Sequence, residues 1–172
     1  MIDFNLFNWE EIFGTAVASE GMKRAQARGL RTEIIELSIA KHSSNQFKYV
    51  GMNDTLGHDF VTNDGIRWEC KCKERMFNKT VPTTSDIILK NYAGKRIDVL
   101  DQKFDYMLLI DTVNMSVAYA PYNSVTKNMK INDANIITKV HYNDMEWVKL
   151  NVLPKKKRDV AEAIQTLIEE IV

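Results

Sequence analysis

The turn signal Asn63-Asp64-Gly65, set between two apolar segments, constrains this chain more than any other feature. Glycine supplies the positive φ that a tight connection needs, so 57–62 and 66–73 read as the strands of an antiparallel hairpin. A three-residue loop pairs Thr62 with Ile66, and Asp59 then stands opposite Glu69, with Cβ atoms roughly 4.5–5.5 Å apart. A two-residue loop would slip the register by one and send the carboxylates to opposite faces. In the first register the carboxylates repel unless something neutralises them, and hard divalent cations such as magnesium take carboxylate oxygens. Lys71, two residues beyond Glu69, projects from the same face. An ammonium there can orient an attacking water and stabilise charge developing at a phosphate. Cys70 points the other way and reads as a small core residue.

The surrounding chain reads as a mixed α/β protein. An acidic start, with Asp3, Glu10, Glu11 and Glu20 and no Lys or Arg in the first twenty residues, leads into a helix from Trp9, with an interruption expected near Gly14. A second helix is predicted over 30–41, with Leu30, Ile34 and Leu37 on one face and Ile35 and Ile39 beside them. A strand over 47–52 precedes the hairpin. One or two helices are expected between 85 and 104, and buried strands over 106–110 and 116–120. A short helix to about Met129, strands over 136–142 and 147–152, and an amphipathic helix over 156–172 complete the order. The fold class is therefore α/β with a mixed (α+β) sheet in one domain over 1–172: N-terminal helices 1–41, the meander 47–73 and the C-terminal half 85–172.

Composition narrows the classes. With 172 residues and 45% hydrophobic residues the chain can bury a core without disulfides. Its 23 basic and 23 acidic residues balance, so bulk charge identifies no partner. The longest apolar run, 106–110, is five residues, too short for a membrane helix. No basic segment opens the chain as in a secretory signal, and the two cysteines are too few for a disulfide framework. A cytoplasmic protein without membrane association is the expectation.

The segment from Asp59 to Glu69-Cys70-Lys71 resembles the PD-(D/E)XK nuclease superfamily, and most closely its small type II restriction endonucleases. That resemblance implies a restriction-endonuclease-like core: a helix, three meander strands, a helix and further strands. It implies that Asp59, Glu69 and the Cys70 carbonyl ligate magnesium, with manganese a possible substitute, and that Lys71 serves the attacking water. Arg28-Gly29-Leu30-Arg31-Thr32-Glu33 is similar to the helix start of junction-resolving members, which carries over Glu33 as a further catalytic carboxylate, with Glu36 as the alternative. His58 stands where the family motif has proline. The implied activity is hydrolysis of double-stranded DNA by a homodimer. Alternatives are a structure-specific nuclease and a non-catalytic DNA-binding or assembly module of the same fold.

Other features are less specific. Residues 70–96 carry seven positive and two negative side chains, a local net of +5. Lys73, Arg75, Lys79, Lys90, Lys95 and Arg96 are thus candidates for DNA-backbone contact. Lys155-Lys156-Lys157-Arg158 reads as a solvated cluster, Asp111 as a structural cap, and Phe104, Tyr106 and Tyr119 as core. Asp101-Gln102-Lys103 imitates the acidic-x-Lys motif but is expected on a helix.

Overall fold

The computed structural model describes residues 1–22, 27–52, 57–73, 84–91, 102–127, 129–131, 135–150, 165, 168, 169 and 171. Helix α1 is Trp9–Ala18 and α2 is Arg28–Lys41; strands β1 (Lys48–Tyr49), β2 (Phe60–Val61) and β3 (Arg67–Lys73) form the meander. Strands β4 (Thr84–Asn91), β5 (Tyr106–Asp111) and β6 (Ser116–Pro121) follow, then the short helix α3 (Tyr122–Thr126) and strands β7 (Met129–Ile131), β8 (Asn135–His141) and β9 (Glu146–Val148). A six-stranded mixed sheet runs β1-β2-β3-β5-β6-β9, and β4-β8-β7 make a second, antiparallel sheet.

Local chemistry explains α1 and its union with α2. The Asn8 side chain accepts from the Glu11 N–H at 3.3 Å, and Glu10 and Glu11 complement the positive end of the helix. Gly14 does not interrupt α1; it is buried within it. Thr15 and Ser38 hydroxyls join the two helices at 2.9 Å. Arg31 donates to the Ala16 carbonyl at 3.1 Å and the Ser19 hydroxyl at 3.2 Å, satisfying acceptors at the end of α1. The buried face of α2 carries Ile34, Ile35, Glu36, Ser38 and Ile39, whereas Leu30, expected on the apolar face, is exposed.

Two apolar clusters lie on opposite faces of the main sheet. Alternation along β5 sends Leu108 and Ile110 into the cluster with Ile12, Phe13, Ile35 and Phe60, and Met107 and Leu109 into the one with Val125 and Val140. Burying one such side chain contributes about 1.5–3 kcal/mol. The expected aromatic core is divided the same way: Tyr106 and Tyr119 pack on the first cluster, Phe104 in the second. Asp111 is fully buried, and its Oδ1 accepts from the backbone N–H groups of Val113 and Asn114 at 3.0 and 2.8 Å, capping the turn before β6.

The hairpin has the three-residue loop. Phe60 pairs with Trp68 and Val61 with Arg67, and the Thr62 N–H donates to the Ile66 carbonyl at 2.9 Å. Gly65 adopts φ +83°, and the Thr62 hydroxyl donates to the Asp64 carboxylate inside the turn. Strands β3 and β5 run parallel, from Trp68 beside Tyr106 to Lys73 beside Asp111. A parallel pair requires a long crossover, here 74–105, which carries β4 into the second sheet. Arg67 fixes the entry to β5: its Nη2 and Nε donate to the Asp105 carboxylate at 3.0 and 3.1 Å, and its backbone N–H at 2.8 Å.

Residues 84–91 are strand β4, not helix, because Ile87 and Ile88 belong to an antiparallel ladder with β8. Residues 92–101 lie outside the described residues, and Gln102 and Lys103 are non-helical. Strands β1 and β2 are shorter than 47–52 and 57–62, and β7 was not anticipated. Of the C-terminal helix, the described positions 165, 168, 169 and 171 are helical. Among the described residues, no helix is long and apolar enough to cross a membrane.

Candidate active site

The meander opens at Asp59. Phe60 is the Cα partner of Trp68, yet the Asp59 N–H also donates to the Trp68 carbonyl, at 2.8 Å. Two residues of one strand thus face one residue of the other, as in a β-bulge. The ladder therefore does not continue to a strict Asp59–Glu69 pair. Asp59 turns its side chain onto the edge of β3, where Oδ2 accepts the Cys70 N–H at 2.8 Å. The preceding loop is pinned to the start of β5. Gly57, at φ +73°, passes so near Lys103 that a Cβ there would stand 2.6 Å from the lysine Cβ, and the His58 ring nitrogen Nδ1 lies 3.1 Å from the Lys103 carbonyl.

From that edge Asp59 reaches both faces of the sheet. Glu69 and Lys71 share the face of their β5 partners Met107 and Leu109; Cys70 and Cys72 share the opposite face, toward α2. Asp59 is hydrogen-bonded to Glu69 on one side and to Glu36 of α2 on the other. Glu36, not Glu33, is the α2 carboxyl in contact with Asp59: it is 4% exposed, while Glu33, nearly one turn earlier, is half-buried.

Three carboxyls in contact cannot all ionise cheaply. Burial, then the charge of Asp59, pushes Glu36 up to about 10 from an ordinary 4.5. Glu69 is also held well above its ordinary value, by burial first and then by its hydrogen bond to Asp59, while the Lys71 ammonium opposes the shift. Burial, followed by the charge of Glu36, raises the Tyr49 hydroxyl, which is hydrogen-bonded to Glu36. The Cys70 thiol, 3.8 Å from Cys72 Sγ, is raised by that contact and by burial, as suits a core residue.

By donor type alone, the set has the chemistry of a divalent-cation site. Ionised, Glu36, Asp59 and Glu69 present oxygen donors only, the preference of magnesium and manganese. The Cys70 carbonyl points to the same strand edge as its N–H, and hence toward Asp59. Among the described residues no group of three or more His, Cys, Asp or Glu side chains is arranged to hold a metal ion; Glu36, Asp59 and Glu69 face one another instead.

The expected residues are thus brought together in part. Asp59, Glu69, Lys71 and the Cys70 backbone form one locus, joined by Glu36 and by Tyr49, which no motif marked. Glu36 carried a legible signal, a carboxyl following two isoleucines on a helix that must bury that side. Lys73 and Lys90 lie in β3 and β4, and the side chains of both fall outside the described residues, as do Arg75, Lys79, Lys95 and Arg96. A separate cavity of about 400 Å³ opens at the hairpin tip among Gln46, Thr62, Trp68 and Tyr106, and no carboxyl of the cluster lines it. No protein-family model matches the chain, and no curated protein matches it.

Proposed function

We propose that this chain is a magnesium-dependent DNA endonuclease with a restriction-endonuclease-like core. The observation that carries the reading is the contact of Asp59 with both Glu69 and Glu36 at the open edge of β3, beside Lys71. The order of α2, the β1–β2–β3 meander and a further strand beside β3 supports it.

Asp59, Glu69 and the Cys70 carbonyl would hold the metal, with Glu36 in the part first assigned to Glu33. Magnesium, when bound, offsets the carboxylate charge and polarises the phosphate under attack. Lys71 orients the attacking water and stabilises the charge that builds on the phosphate. Asp59 keeps β3 in place through the Cys70 N–H. The substrate is double-stranded DNA, and a symmetric dimer would set one site on each strand, as in a type II restriction enzyme. The two cysteines, free of any disulfide, suit a reducing compartment such as the cytoplasm.

The test is incubation of plasmid and phage DNA with wild type and Glu69→Ala, in magnesium and in EDTA. Discrete fragments that need magnesium and Glu69 support a site-specific enzyme. A smear or selective cutting of branched DNA, with the same dependence, supports a structure-specific nuclease. DNA bound but left intact in every lane supports a non-catalytic module.

A further inference from the structure

Tyr49 lies in β1 with Phe60 as its Cα partner, and the next residue, Val50, donates its N–H to the Asp59 carbonyl at 2.8 Å. The strand that carries Tyr49 is thus bonded to the backbone that presents Asp59. The Tyr49 ring leans on Phe60, with centroids 6.0 Å apart, and its hydroxyl end passes over Gly51. A Cβ built on Gly51 would stand 2.6 Å from Cε1 and 2.8 Å from both Cζ and Oη. Real Cβ atoms do not approach so closely, so residue 51 must lack a side chain for the ring to lie there. Beyond that gap the hydroxyl meets Glu36, the carboxyl that also touches Asp59.

We infer that Tyr49 is a positioning residue: its hydroxyl donates to Glu36 and aims that carboxyl at Asp59, and Gly51 gives the hydroxyl the room to do so. The inference rests on the metal-nuclease reading of the cluster. A phenolic O–H is suited to the task because it donates to a carboxylate and carries no competing charge. Partners that orient a ligating group are typically worth about 10–100-fold in metal affinity.

The experiment is calorimetric titration of Mn²⁺ and Mg²⁺ into wild type, Tyr49→Phe, Gly51→Ala, Glu36→Gln and the Tyr49→Phe/Glu36→Gln double variant, with the magnesium dependence of plasmid cleavage alongside. Phenylalanine keeps the ring on Phe60, and circular dichroism checks that the fold is retained. Tyr49→Phe is expected to weaken metal binding about 10-fold or more, and raising magnesium is expected to restore cleavage. Gly51→Ala should act in the same direction, and Tyr49→Phe should add nothing once Glu36 is Gln. Wild type binding metal with Tyr49→Phe binding equally well overturns the inference and leaves the nuclease reading standing. An additive double variant also overturns it, because Tyr49 would then not act through Glu36. Wild type that binds neither ion overturns the metal-cluster reading and this inference with it.

Discussion

Glu36→Gln tests the electrostatics of the cluster through stability, with no assumption about substrate. Native Glu36 holds its proton up to about 10, whereas the unfolded chain releases it near the ordinary 4.5. Between those values the native state binds more protons than the unfolded state, so stability is greatest below the lower value and falls as pH rises toward the upper one. One proton gives a slope of about 1.4 kcal/mol per pH unit, or about 4 kcal/mol between about pH 5 and about pH 8. Glu69 shifts in the same direction and steepens the fall. Against a total stability of about 5–15 kcal/mol this is a large loss. Glutamine keeps the size and hydrogen-bonding capacity of Glu36 and removes its proton. The variant should be more stable than wild type at about pH 8 by about 2–4 kcal/mol and similar to it at about pH 5. Urea unfolding followed by the fluorescence of the three tryptophans, in EDTA, reads both values. Magnesium should stabilise wild type more at the higher pH, where binding displaces fewer protons. Wild-type and Glu36→Gln curves that fall in parallel with pH would show that Glu36 does not keep its proton in the folded state.

Phe60→Ala removes a fully buried ring stacked on Phe47 at 4.8 Å, directly after Asp59, and should cost about 3–5 kcal/mol in urea unfolding. Asp105→Asn weakens the Arg67 clasp between β3 and β5 and should cost about 1–2 kcal/mol at neutral pH, since both groups are partly exposed. The hydrogen bond from Arg67 holds Asp105 below its ordinary 3.8, so the wild-type advantage should be present above that value and vanish as pH falls through the lower, folded value.

What could be read from the sequence was local. Asn63-Asp64-Gly65 carries its own turn chemistry, so the loop length and the pairings Phe60–Trp68 and Val61–Arg67 follow from a few adjacent residues. The departure at Asp59 depends on β1: the Asp59 carbonyl is taken by Val50, and nothing near Asp59 in the chain announces that bond. The resemblance of 28–33 to a family helix start points to Glu33 and leaves Glu36 as the alternative; packing against α1, which buries the face of Glu36 and Ser38, decides for Glu36. Strand β4 was misread because its partner β8 lies about fifty residues downstream, and only that pairing decides between strand and helix for Ile87 and Ile88. Tyr49 meets Glu36 from β1, a contact made by tertiary packing that no spacing rule encodes.

The proposed nuclease activity turns on Lys71 acting on a phosphodiester held at the carboxylate cluster. Its most direct test is the rate at which wild type and Lys71→Ala cut supercoiled plasmid at saturating magnesium, with DNA binding measured on the same samples. Loss of about 100-fold or more in rate, with DNA binding retained, is the predicted result. Equal rates for the two proteins would mean that Lys71 takes no part in cleavage.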